Sequence, residues 1–447
     1  MTHAVGAPAV YVEGSVFRHV VALTALGSLG LMAIFAVDLV NLLYISLLGD
    51  EVLTAAMGYA GAVLFLIVSI GIGFSIGVTA LTARRIGAGD RAAARRVATS
   101  GLVISFAATT VLTLVLAAVL DPCLSLLGAE GREFEVTQHF LWIAMFGMPL
   151  LALSMAMGGV LMAFGAPRMT LWINLAGAGA TAILDPIFIF GLDMGVTGAA
   201  IVTVLIRFVG LAVGWYGLVP RLNALARPTA EGIRRDVGPL LAIAFPAILT
   251  NLATPVSNML VTAYVARFGT EAVAGWSIIG RIYPLCFAGI FALTGSVGAI
   301  FGQNVGARRF DRVRKTLADS ALFTAIYVVV IWMLLFLGTD AINWAFQATG
   351  RVAEMIAFYC LWAAPTFIFT GALFVANAAF NNLGFASHST LFNWGRATLG
   401  TLPFCWLGVW HGSANAVILW WSIGAALFGL PALWLARRSI DRLAASA

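Results

Sequence analysis

The stretch Ile183–Gly191, ILDPIFIFG, sets an acidic residue, Asp185, directly before Pro186 inside an otherwise almost wholly apolar run. In a soluble protein the pair would mark a turn or a helix start. In hydrocarbon it would be an ionisable group beside a helix breaker, a combination that costs free energy and so points to function. The surroundings decide between the two.

The chain has 447 residues, 61% hydrophobic and only 10% charged, where soluble domains carry about 25% charged residues. Nearly all of it belongs in a bilayer. The net charge of +6 therefore does not imply nucleic acid, and no nucleic-acid partner is expected. Cys123, Cys286, Cys360 and Cys405 lie far apart in or beside apolar sequence, as small packing residues do. The five histidines show neither HExxH nor paired spacing, so no metal site is expected. The start, MTHAVGAPAVYVEGSVFRHV, lacks the basic region and short apolar core of a signal peptide.

About 20 apolar residues cross a bilayer as a helix. Twelve such segments are expected, near 18–48, 52–82, 97–120, 137–164, 168–191, 195–219, 239–267, 271–301, 316–338, 352–383, 388–409 and 415–436. Their connections alternate. ARRIGAGDRAAARR, RLNALARPTAEGIRRD, GARRFDRVRK and the tail ARRSIDR are rich in arginine, whereas GDE, GAEGREFE and GTDA are acidic or nearly neutral. By the positive-inside rule both termini are cytoplasmic, in a multi-pass protein of the inner (plasma) membrane.

The two halves of the chain match. ARRIGAGDRAAARR (83–96) and GQNVGARRFDRVRK (302–315) each follow a glycine-rich apolar segment, and Gly87 falls opposite Gly306 at an offset of 219. Downstream, Pro186 falls opposite Pro403, Gly191 opposite Gly408 and Gly195 opposite Gly412, at 217. The expected fold is an all-α integral membrane protein of twelve helices in two six-helix bundles, related by a pseudo-twofold axis along the membrane normal. Residues 1–219 form the N-lobe, 220–238 a cytoplasmic linker and 239–447 the C-lobe.

Within the spans only Asp38 and Asp185 are acidic residues well away from the ends. Both lie about 8 Å of helix rise beyond their span midpoints, on the outer side. Their repeat counterparts, Asn258 and Leu402, are uncharged. A charged aspartate near the middle of a helix costs roughly 2.5–3.5 kcal/mol. A group that is costly when charged and cheap when neutral suits the loading and release of a proton. Alternatively, a permanently neutral Asp185 serves backbone groups freed by Pro186. Asn41 lies one turn from Asp38, Thr181 one turn before Asp185, and Asn174 three turns before it, a polar stripe that would line a small hydrated pocket. Arg207 and Arg396 lie inside spans and could pair with a carboxylate, snorkel or line a cavity. The abundant Phe, Met and Trp could line a promiscuous cavity, although they also fill membrane cores.

VDLVNLLYISLLGDEVLTAA (37–56), LDPIFIFGLDMGVTGAAIVTV (184–204) and VGAIFGQNVGA (297–307), set in twelve spans of two halves, resemble the multidrug and toxic compound extrusion (MATE) family. The resemblance covers nearly the whole chain. It implies a V-shaped pair of bundles and a secondary antiporter, not an enzyme, that exports organic, often cationic, compounds against protons or sodium. The family's N-lobe ion site carries over onto Asp38, Asp185 and Thr203. An asparagine common in the family is replaced by Thr181, and a second such position falls on Met155. The helices that bear acidic residues in some members offer only neutral groups here, such as Asn251, Asn258, Asn377, Asn381 and Asn382. These departures favour protons over sodium as the coupling ion.

The expected coupling residues are thus Asp38, Asp185, Thr203, Asn41 and Thr181. Asn174, Arg207, Asn258, Asn377, Asn381 and Arg396 are expected along the substrate cavity. The protein is expected to need no cofactor beyond its coupling ion, to act as a monomer, and to meet small organic substrates and membrane lipids. A lipid-linked sugar flippase of the same superfamily and sodium-coupled drug efflux are the rival readings. A membrane enzyme would need a catalytic cluster that is absent from the sequence, and a channel would need a re-entrant filter.

Overall fold

The computed structural model describes Ala9–Ser46 and Glu51–Ser446, with the side chains of Asp38, Leu39, Leu42, Leu43, Ser46, Glu51 and Thr54 outside that description. The acidic loop expected at 49–51 falls partly in the undescribed residues 47–50. The described chain is helical, with no strand. Twelve helical runs follow one another: α1 (Val16–Ser46), α2 (Glu51–Gly87), α3 (Arg91–Ala118), α4 (Gly131–Ala163), α5 (Pro167–Gly191), α6 (Gly195–Arg221), α7 (Ala230–Val265), α8 (Thr270–Cys286 and Ala288–Gly306), α9 (Phe310–Leu337), α10 (Gly350–Leu383), α11 (Ala386–Ala397 and Leu402–Trp410) and α12 (Ala414–Ala445). Short helices Leu120–Leu126 and Thr339–Ala345 follow α3 and α9. Eleven of the twelve runs contain a stretch that is long and apolar enough to span a bilayer.

The remaining run, expected as one span over 388–409, is broken. Pro403 has no N–H and disfavours helical geometry in the residue before it. Hydrogen bonding is rerouted across the gap: the Gly400 N–H donates to Gly395 O at 2.9 Å, and the Thr401 hydroxyl donates to Arg396 O at 3.0 Å. Gly400 lies where a Cβ would sit 3.0 Å from the backbone oxygen of Gly424 in α12, so only glycine lets α11 and α12 approach this closely. Other runs also change their winding next to prolines. α4 passes through a 3₁₀ turn, Met145–Gly147, before Pro149, and α10 through a π turn, Tyr359–Ala363, before Pro365. α8 is interrupted at Phe287, three residues after Pro284.

By packing, the chain divides into one unit built on Leu29–Ile248 and another built on Leu249–Ala447 with Tyr11–Ser28. The division falls inside α7, not within the polar segment 220–238. Both units use the same pairing order. In the first, α2 packs on α3 and α4, and α5 on α6; in the second, the later half of α8 packs on α9 and α10, and α11 on α12. Backbone turns recur as well. Positive φ occurs at Gly89 and Arg308, Gly128 and Gln347, Gly131 and Gly350, and Gly165 and Gly384, each pair 219 apart, and at Gly195 and Gly412, 217 apart.

The arginine-rich loops are anchored as well as charged. In the first unit Arg91 donates to Leu222 O at 2.9 Å, Arg95 to Asn223 Oδ1 at 2.8 Å, and Arg96 pairs with Asp236 at 3.2 Å. The segment after α6 is thereby strapped to the start of α3. In the second unit the strap is Tyr11–Gly14. The Tyr11 N–H donates to Gln303 Oε1 at 2.8 Å, Asn304 Nδ2 donates to Tyr11 O at 3.1 Å, and Arg312 donates to Tyr11 O, Glu13 O and Gly14 O at 3.0, 3.0 and 2.9 Å. Tyr11 is 2% exposed, and burial pushes its phenol above the usual tyrosine range.

Candidate functional site

Asp185 occupies the last turn of the regular part of α5, Pro167–Pro186. Pro167 starts that helix, where its missing N–H leaves no intrahelical bond unmade. Pro186 ends it, and Ile187–Gly191 continue as a π turn in which the Leu192 N–H reaches Ile187 O at 2.8 Å. Ile183, Ile187 and Phe190 are exposed on the face suited to lipid. Thr181, Asp185 and Ile189, spaced one turn apart, are buried on the other. Ile189 belongs to an apolar cluster with Ala144, Met148 and Ala199.

The carboxylate is 1% exposed. Its Oδ2 accepts from Asn41 Nδ2 in α1 at 2.7 Å, whereas its Oδ1 has no hydrogen-bond partner among the described residues. Buried polar atoms are nearly always satisfied, so this orphaned oxygen marks a place where something else can bind. α1 is held along α5 at two further levels. Tyr44 meets Phe190 edge to face at 5.8 Å, and Asn174 lies against Gly30 so closely that a Cβ there would be 2.6 Å from Nδ2. Asn174 therefore closes the α1–α5 contact.

Asp38 is on α1, one turn before Asn41, and its side chain lies outside the described residues. The Thr181 hydroxyl donates to Gly177 O at 2.9 Å and that of Thr203, in α6, to Ala199 O at 3.0 Å. Both donor hydrogens are thus committed one turn back along their own helices. Met155 lies against Gly71 of α2, and its carbonyl accepts from Ser75 at 2.8 Å. Arg207, in α6, runs its stem past Gly147 in the α4 turn, and it gives no bond to Asp185.

In the second unit Asn377 and Asn381 are buried in a network tying α10 to α11. Asn393 Nδ2 donates to Asn377 Oδ1 at 3.0 Å and Ser389 Oγ to Asn381 Oδ1 at 3.3 Å. Asn258 Nδ2 donates to Tyr283 Oη at 3.4 Å, and Arg396 Nη2 donates to Thr254 Oγ1 at 3.3 Å. Tyr283 also borders a crevice lined by Trp276, Tyr359, Phe367 and Trp421. Trp276 and Trp421 meet edge to face at 5.6 Å. Sequence reasoning overlooked Arg281, exposed on α8 in WSIIGRIYP. Its signal was an arginine in an apolar run, the same signal that singled out Arg207 and Arg396.

The chain matches the MatE family over residues 20–187 and 246–407. It is 28% identical over 424 residues, 94% of each chain, to the FAD transporter of Shewanella oneidensis. It is 24% identical over 348 residues, 75% of this chain and 76% of the other, to the multidrug export protein MepA of Staphylococcus aureus. In fold it is similar to a mutant of the Vibrio cholerae MATE transporter VcmN, with a TM-score of 0.90 at 25% identity over 96% of this chain and 97% of that one.

Proposed function

Because this chain belongs to the MatE family of membrane transporters, we propose that it exports small organic compounds across the inner (plasma) membrane in exchange for protons. It is a multi-pass transporter of compounds, not an enzyme. The observation that carries proton coupling is Asp185: a buried carboxylate with one donor on Oδ2 and an orphaned Oδ1, placed where α5 changes from an α to a π turn. A proton on Oδ1 removes the cost of a buried charge and leaves the bond from Asn41 intact. Loss of the proton restores that cost and favours a state in which water reaches the carboxylate. The proton therefore drives the cycle only by favouring one packing of α5 over another. Pro186 supplies the weak point for that change, since the helix beyond it already lacks the regular i−4 ladder.

Protons suit this site better than sodium. Asn41 presents a donor to the carboxylate, and the hydroxyl hydrogens of Thr181 and Thr203 are committed to their own helices. Cationic cargo, expected from the resemblance, would gain from acidic residues along the spans of the second unit. There Glu271, Asp311 and Asp340 lie in first helical turns, and Asp319 and Asp441 pair with Lys315 and Arg314. We therefore propose an organic range not restricted to cations, in keeping with relatives named for drugs and for FAD. The matched pairing order and recurrent left-handed turns support a duplicated six-helix segment, and the arginine-rich loops support cytoplasmic termini. One chain carries both copies, so a monomer suffices.

The test is dye efflux from proteoliposomes under an imposed proton gradient, then under a sodium gradient alone. Asp185→Asn should insert and fold but lose uphill efflux. Wild-type rates in that variant would make the aspartate structural, and efflux driven by sodium alone would make the coupling ion wrong.

A further inference from the structure

Arg396 stands at the end of the first segment of α11, just before the break that Pro403 imposes. It is 4% exposed, and its Nε has no hydrogen-bond partner among the described residues. Two neighbouring helices, α7 and α8, supply its surroundings. Thr254 of α7 accepts from Nη2, and Asn258, one turn further along α7, donates to the hydroxyl of Tyr283 in α8. No acidic residue of the second unit faces it among the described residues. Glu271, Asp311 and Asp340 begin helices, Asp319 and Asp441 have basic partners, Glu354 sits near the start of α10, and Glu13 lies in the strap held by Arg312.

A buried guanidinium without a counterion is costly unless an anion meets it. Its planar fork of donors matches the oxygens of a phosphate or carboxylate. Non-helical backbone at membrane depth is tolerated where it is buried or lines a cavity, and interrupted helices form binding sites in many transporters. The carbonyl end of Ala386–Ala397 also favours a cation nearby, but that attraction leaves the orphaned Nε unexplained.

We propose that Arg396, supported by Thr254, Tyr283 and Asn258, is an anion-binding site for the phosphate or carboxylate of the exported compound, so that the cargo includes organic anions. The proposal rests on reading the chain as an exporter. It places groups of opposite sign in the two units: Asp185 beside Pro186 for the proton, and Arg396 shortly before Pro403 for the cargo.

FMN and riboflavin share one ring system and differ by a phosphate, so they isolate the anion. Flavin-fluorescence titration of the full-length protein in detergent should show FMN binding at least tenfold more tightly than riboflavin. Arg396→Gln should bring FMN down to the level of riboflavin, and Arg396→Lys, which keeps the charge and loses the fork, should retain part of the preference. Equal wild-type affinity for the two flavins, or an undiminished FMN preference in Arg396→Gln, overturns the proposal. The two variants separate binding from folding: both should unfold at the wild-type temperature, and a Gln variant that keeps as much FMN preference as the Lys variant overturns the proposal. Lipid extraction identifies the source. An anionic phospholipid that copurifies with the wild type, is lost in Arg396→Gln and resists displacement by FMN would assign the site to a headgroup and overturn the cargo role. Binding needs no gradient, so an FMN preference that depends on Arg396 in a protein that moves no FMN under a proton gradient would uphold the anion site while sinking the exporter reading.

Discussion

Asn41 offers the sharpest test of proton coupling because it touches the carboxylate without titrating. Its Nδ2 lies 2.7 Å from Asp185 Oδ2 and is the sole donor that carboxylate has among the described residues. A hydrogen bond to a charged group is worth about 1.5–3 kcal/mol. At 1.36 kcal/mol per tenfold, Asn41→Leu should therefore move the balance of Asp185 between charged and proton-bound forms by roughly 10- to 150-fold toward the proton-bound form. The shape of the side chain is nearly kept, so packing of α1 on α5 through Tyr44 and Phe190 should survive. A carboxyl that holds its proton too well cannot reset, so gradient-driven efflux should fall about tenfold or more. Exchange of labelled for unlabelled substrate at equal pH on both sides requires no net proton release and should fall far less. Proteoliposome efflux and equilibrium exchange, measured on one preparation, give the two rates. If Asn41→Leu keeps net efflux within twofold of wild type, or loses both rates equally, the coupling argument fails.

Two further outcomes follow from the straps and the loops. Arg312→Ala removes three bonds to the carbonyls of Tyr11, Glu13 and Gly14 and should cost roughly 2–4 kcal/mol. It would be read as a lower unfolding temperature and faster proteolysis near Glu13, and an unchanged melt would show the strap to be incidental. In a background freed of Cys123, Cys286, Cys360 and Cys405, single cysteines at Arg84, Arg234 and Arg308 should resist an impermeant thiol reagent added to intact cells. One at Glu130 should react, and the reverse pattern would invert the topology.

The segments that carry the fold were legible because a bilayer imposes a length and an apolarity that composition alone can register. The interruptions in α4, α8, α10 and α11 were not, although Pro149, Pro284, Pro365 and Pro403 stood in the sequence. A hydropathy window sums side chains and is blind to where the backbone ladder changes partners. Asp185 stood out as an acidic residue far from the ends of its span, and the helical period predicted its burial on one face with Thr181. That its donor would be Asn41, 144 positions away, depends on how α1 lies along α5. Arg396 was readable as a buried charge. That no described carboxylate of its own unit faces it was not readable, because that depends on which ends of other helices come near. The strap of Arg91, Arg95 and Arg96 on residues 222–236 was hidden for a similar reason: its acceptors are mostly backbone carbonyls, which every sequence has.

The paired turns also bear on how such a chain changes over time. At two of the five matched positions the first copy has glycine, Gly89 and Gly128, where the second has Arg308 and Gln347, still at φ of 55° and 49°. A side chain in that left-handed conformation costs about 1–2 kcal/mol. Under the duplication proposed here, selection has held the shape of the corner while letting the residue drift to one that fits it badly. The ancestry of the halves is then written in torsion angles more durably than in letters, and related duplications too worn for alignment should still be found by matching the spacing of left-handed residues.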